Sequence, residues 1–144
     1  MRWNLIALLP LLLATPLLST GQTRPGDTVV NVPFSFFAGE QQLPPGRYIV
    51  SPLDEENVRI FNSQTKGAVV ATHAETRAHA NGSKLVFHRY GDRTFLSSVW
   101  ISGSSVGREV YPSRAEQDLI QQGRESKVAE IPVVTQSDSK GNLP

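Results

Sequence analysis

From Asp27 onward the chain is a series of short β-branched and aromatic runs, each stopped by a turn signal roughly ten residues after the last. That rhythm suits an antiparallel β-sandwich or small barrel, because no segment in this stretch keeps a helical period for long. Asp27 to Phe37 (DTVVNVPFSFF) is the first run. Pro33 removes one ladder donor within it, so this strand is expected to lie at an edge or to bend there. Gly39 to Gln42 reads as a turn. Pro44-Pro45-Gly46 reads as a tighter one, since proline presets φ and glycine accepts positive φ at the next position. Strands are expected over Arg47–Val50, Val58–Phe61 and Gly67–Thr72, with the polar turn Asp54–Asn57 between the first two.

Asn81-Gly82 is the strongest short-range signal, because this dipeptide favours the positive φ angles of a two-residue hairpin loop. With Ala80 facing Ser83, His73 falls opposite Tyr90, Glu75 opposite His88, and Arg77 opposite Val86. Side chains alternate along a strand, so these residues share a polar face, while Ala74, Leu85 and Phe87 share the apolar one. Gly91-Asp92 marks the next reversal, into Arg93–Ile101. A loop of two or three residues fits it, and a one-residue slip exchanges the faces, which leaves open whether Phe95 or Leu96 points inward. A Gly/Ser loop over Ser102–Ser105 and a short strand near Arg108–Tyr111 follow. Ser113-Arg114-Ala115-Glu116 fits a capping box, and Gly123 can end the helix it starts. The expected fold is therefore mainly β, with about seven strands and one short C-terminal helix near 113–123.

The beginning of the chain reads differently. Met1-Arg2 is a short positive region, and Leu5 to Leu18 is an apolar run interrupted by Pro10, Thr15 and Pro16. Ser19-Thr20-Gly21 then supplies the small residues that a signal peptidase recognises. A membrane span needs roughly 20 apolar residues, more than this run offers, so residues 1–21 are read as a signal peptide cleaved after Gly21. The mature protein is then exported to the periplasm or the extracellular space, with no stable membrane span. Residues 22–134 form one β-rich domain, and 135–144 (QSDSKGNLP at its end) have too little to bury and are expected to be a disordered tail. The chain has no cysteine, so neither a disulfide nor a lipid-anchoring thiol is available and packing alone must hold the domain. Without Arg2, the thirteen Lys and Arg balance the thirteen Asp and Glu, and the two signs are interspersed. A nucleic acid or anionic lipid surface is bound by clustered basic side chains, so neither is an expected partner.

VPFSFFAGEQQLPPGRYIV, KLVFHRYGDRTFLSSVW and GREVYPSRAE occur in that order over residues 29–118. These three blocks resemble those of a family of uncharacterised small exported proteins from environmental bacteria, which has no assigned activity. The resemblance implies export and a shared fold, and it supplies no catalytic residue.

Several patterns invite a chemical reading. Gly103-Ser104-Ser105-Val106-Gly107 matches G-x-S-x-G, but that motif needs a strand–turn–helix setting and a histidine later in the chain. Here a strand follows and all three histidines precede Ser105, so a Gly/Ser loop is the better reading. His73, Glu75 and His88 share the polar face in the hairpin register and are the only candidate metal ligands; His79 lies too far along to join them. A solvated cross-strand pair is the better reading of them. Asp54-Glu55-Glu56 lacks the alternating ligands, central glycine and distal glutamate of a calcium loop. The expectation is thus a non-catalytic exported β-domain with a binding or structural role at the cell envelope, without metal or cofactor. The alternatives are a small hydrolase or metal-dependent enzyme using His73, Glu75 and His88, and a subunit that pairs its Val29–Phe37 edge with an envelope protein by strand addition.

Overall fold

The computed structural model describes residues 27–62, 64–65, 67–76, 82–101 and 106–133. The segments expected to be a signal peptide (1–21) and a disordered tail (135–144), and His79, Asn81 and Ser105, lie outside them. The described residues form β1 (Thr28–Val32), β2 (Phe36–Ala38), β3 (Gln41–Leu43), β4 (Gly46–Pro52), β5 (Asn57–Phe61), β6 (Ala68–Thr76), β7 (Lys84–Tyr90), β8 (Arg93–Trp100), β9 (Val106–Val110), α1 (Arg114–Gln121) and β10 (Lys127–Pro132). The protein is mainly β and mostly antiparallel with one short helix, as the turn spacing predicts. The described residues hold ten strands rather than about seven.

Part of that difference starts at Pro33. The β1–β4 ladder ends at Val32↔Gly46, where proline offers no further N–H. The chain bends and restarts as β2, which pairs with β3 across a turn at Gly39-Glu40 and runs parallel to β8 at Phe37↔Phe95. Gln41 and Gln42, expected in a turn, are therefore in a strand. Strand order runs β1-β4-β5-β6-β9-β8. β7 takes one edge of β8, and β10 lies beyond β7. The other edge of β8 is shared, by β9 at Ser98–Val99 and by β2 at Phe95. β1 and β10 come within 8 Å at their Cα atoms, so the sheet curls back toward itself. The β1 part of the proposed strand-addition edge thus has a neighbour.

β6 carries the curl. Its first half, Ala68–Ala71, pairs with β5, and its second half, Thr72–Thr76, pairs with β9. Inside the curl, Val30, Val32, Phe36, Tyr48, Val50, Val58, Ile60, Leu85, Phe87 and Leu96 are buried together. Phe36 meets Tyr48 and Phe87 edge-on at 5.4 and 5.3 Å, the arrangement that aromatic quadrupoles favour.

The hairpin register expected around Asn81-Gly82 is not formed. Gly82 does adopt φ +77°, but β6 and β7 are not neighbours. β7 pairs with β8 across Gly91-Asp92 and with β10 on its other side. His88 consequently faces Phe95 and Val128 rather than Glu75, whose backbone partner is Gly107. Turn chemistry gives a local bend, whereas two long ladders outweigh one hairpin in deciding which strands meet. The parity of the buried side holds nonetheless, with Leu85 and Phe87 in the core.

The Gly91-Asp92 loop has two residues, with Gly91 at φ +64°. Phe95 and Leu96 are both buried, on opposite faces. Leu96 enters the core, while Phe95 stacks on Phe37 at 5.0 Å and meets Tyr90 at 5.9 Å. Along the same ladder a bulge falls opposite Val86/Phe87, where pairing steps from Ser98 to Leu96 and leaves Ser97 without a partner residue.

Ser113 caps α1, its hydroxyl accepting the Glu116 N–H at 3.2 Å. The helix ends with Gly123 N–H on the Ile120 carbonyl and Arg124 N–H on the Leu119 carbonyl, with Gly123 at φ +70°. That paired closure requires a left-handed residue just past the helix.

Candidate functional site

The three sequence candidates are not brought together. His73 lies on the exposed side of β6, its Nε2 3.0 Å from Glu109 Oε2 on β9 and its ring 4.9 Å from that of Tyr111. His88 lies on β7 in a separate ladder. The Glu75 side chain is outside the described residues. No group of three or more His, Asp or Glu able to hold a metal ion occurs among the described residues. Asp54 acts as a turn residue: its carboxylate accepts the Glu56 N–H at 2.9 Å and the Asn57 amide at 2.9 and 3.0 Å. Those bonds, the backbone one first, hold its carboxyl below the usual carboxylate range. The residues after Ser105 form β9, the strand setting expected of a loop rather than of a nucleophile elbow.

Two other places carry chemistry that the sequence did not single out. The first is the end of the curled sheet where β4, β6 and β8 finish and β9 begins. Ala74 pairs with Arg108, and Arg108 with Val99, so these three side chains form a row on the inward face. Pro52, Ile101 and Val106 complete a mostly apolar cavity of about 380 Å³, with Glu55 and Arg108 as its charged members. Arg108 Nη1 donates to the Glu55 carbonyl, which fixes the guanidinium at the rim. A second hollow of about 370 Å³ shares Glu55 and Ala74 and extends to Glu56, Thr72, His73 and Tyr111. Residues from distant strands build this end, so no spacing along the chain announces it.

The second place is the outer face of β7 and β8 under α1. Glu116 is only 4% exposed. The capping box forms by half, because the Glu116 carboxylate turns toward the sheet. Its Oε1 accepts the Tyr90 hydroxyl at 3.4 Å and stands 3.3 Å from His88 Nδ1. Burial, and then the charge of Glu116, push the Tyr90 phenol above its ordinary value of 10.0. On the far side of the same imidazole, His88 Nε2 is 3.2 Å from Ser97 Oγ. Ser97 shares that face with Phe95, the residue paired with His88, because side chains two apart on a strand point the same way. Ser97 was not found from the sequence because the length of the Gly91-Asp92 loop, and with it the face of Phe95 and Ser97, was left open, and Glu116 was assigned to the helix cap alone.

The fold and these two places define a mainly β domain with an open-ended cavity. Comparison with protein-family models, curated proteins and solved structures gives no match.

Proposed function

We propose that the chain is an exported β-domain that binds a small apolar ligand at the open end of its curled sheet, serving at the cell envelope. The observation that carries this reading is the inward row Ala74–Arg108–Val99. Most core-facing positions of the curl are filled by large side chains, but here Ala74 leaves the inward face open to solvent. Pro52, Val99, Ile101 and Val106 supply apolar walls, and Arg108 places one cation beside them. Ligand sites commonly combine such walls with a few polar groups, and the mouths of curled sheets are a usual place for them. The ligand chemistry that fits is an apolar body with an acceptor or anionic group. Export rests on the Arg2, Leu5–Leu18 and Ser19–Gly21 pattern.

Two measurements test the reading. Material recovered outside the cytoplasm should begin near Gln22, and an intact Met1 in a membrane fraction would overturn export. Anilinonaphthalene sulfonate, an apolar fluorophore with one anionic group, should bind the natively folded protein with enhanced emission. Ala74→Trp fills the cavity and should abolish that signal, and Arg108→Gln should weaken it. Equal emission from all three proteins, each melting cooperatively, would overturn the site.

A further inference from the structure

The order of groups around His88 is that of an activated serine. A carboxylate lies at Nδ1 and a hydroxyl at Nε2, at 3.3 and 3.2 Å. The tautomer that satisfies both contacts carries its proton on Nδ1, donating to Glu116, and leaves the Nε2 lone pair facing Ser97. We propose that Ser97 is a nucleophile, with His88 as its general base and Glu116 as the residue that positions His88, and that this relay hydrolyses small accessible esters. The activity is separate from ligand binding at the open end of the sheet, since neither Ser97 nor His88 lines that cavity.

Three features fix the arrangement. Ser97 lies two residues along β8 from Phe95, the partner of His88, and so sits diagonally next to His88 on one face. Glu116 is held by the Ser113 cap of α1 and by the Tyr90 hydroxyl, so the carboxylate has a set position before any substrate arrives. The two reacting groups reach solvent and the positioning one does not: the His88 side chain is 33% exposed and Ser97 partly exposed, while Glu116 is buried. Such relays are recognised by geometry and roles, not by order along the chain. Neither cavity at the end of the sheet adjoins Ser97. The substrate class is accordingly small esters with good leaving groups, not long-chain or polymeric ones.

The chemistry balances without another reagent. Ser97 Oγ bonds to the ester carbonyl carbon as its proton passes to His88 Nε2. The bond from that carbon to the alkoxy oxygen breaks, and the leaving oxygen takes the proton from His88. Water then attacks the acyl carbon, His88 accepts the proton from it, and the acyl–Oγ bond breaks as Ser97 recovers a proton. One ester and one water give one acid and one alcohol.

The same contacts would also pin α1 to the sheet, and covalent reactivity separates the two roles. The mature protein should take up one fluorophosphonate label per chain, mapping by mass spectrometry to Ser97, and should turn over para-nitrophenyl acetate. Ser97→Ala, which removes a single oxygen, should leave the melting temperature unchanged, abolish labelling and reduce turnover about 100-fold or more. Glu116→Gln should slow labelling and alter its pH profile while the helix signal is retained. If Glu116→Gln loosens α1, Ser97→Ala still decides the matter. A label elsewhere, no label on Ser97, or turnover unchanged in Ser97→Ala would overturn the proposal.

Discussion

Gly107 lies in β9 directly beneath Trp100, and the pair makes a sharp test of how this sheet is packed. A Cβ built at Gly107 would sit 2.6 Å from three atoms of the indole ring, Cδ2, Cε2 and Cη2. The indole is rigid and 1% exposed, and its Nε1 donates to Ser98 Oγ at 3.0 Å. It therefore cannot bend away at a flexible end, so Gly107→Ala must shift the ring or separate the strands. Expelling an indole that buries on the order of 200 Å² would cost about 5 kcal/mol at 25 cal/mol per Å². Partial adjustment brings typical overpacking costs to about 1–3 kcal/mol, and an ordered Ala in place of Gly returns about 0.4–1 kcal/mol through the unfolded chain. The expected net loss is about 1–2 kcal/mol, opposite in sign to the gain that replacing a strand glycine ordinarily gives. Trp100 is the only tryptophan after Trp3, so in protein produced from Gln22 onward urea unfolding followed by tryptophan emission reads both stability and the environment of this ring. In a Trp100→Ala background, where circular dichroism must replace emission as the probe, the same Gly107→Ala change should become neutral or favourable. Unchanged midpoint and emission in the single variant, or equal losses in both backgrounds, would refute the reasoning.

Gly82 sits at φ +77° with open space around it, so Gly82→Val should destabilise through the backbone alone, by about 1 kcal/mol or more in chemical denaturation. Phe87→Ala empties a fully buried site between Phe34 and Phe36 and should cost about 3–5 kcal/mol; His73→Ala breaks only an exposed pair and should stay within about 1 kcal/mol by the same assay. The Tyr90 phenol is held above its ordinary value of 10.0, so the folded state keeps a proton that the unfolded chain releases. The stability from this group is present below pH 10.0 and declines as pH rises above it. Alkaline denaturation should show that decline, and Tyr90→Phe should lessen it, with Tyr48, also raised by burial, responsible for part of the remainder.

Local chemistry was legible where a residue has one physical option. Pro33 ends a ladder, Gly82, Gly91 and Gly123 take the positive φ that their turns need, and Ser113 opens the helix. The buried parity of Leu85 and Phe87 was legible for the same reason, because alternation survives a change of partner strand. Partner choice was not. Asn81-Gly82 promised a β6–β7 hairpin, but β7 satisfies both its edges with β8 and β10, and nothing near residue 82 encodes that competition. The His73/Glu75/His88 face depended on that register and is not assembled. Ser97 stayed hidden because its face depended on the undecided register after Gly91-Asp92 and on the partner of β7, and Glu116 because a reciprocal cap was expected of it.

β10 joins the sheet through β7 alone, and its alternate residues Ala129 and Ile131 are only half-buried while Lys127, Val128, Glu130 and Pro132 face water. Little apolar area anchors it, so releasing it costs far less free energy than unfolding the whole domain. Its amide protons should exchange with solvent well before those of β8, which is paired on both edges and buried on both faces. Opening at β10 therefore precedes that of β8, and the edge of β7 that β10 leaves behind becomes backbone that a protease can reach.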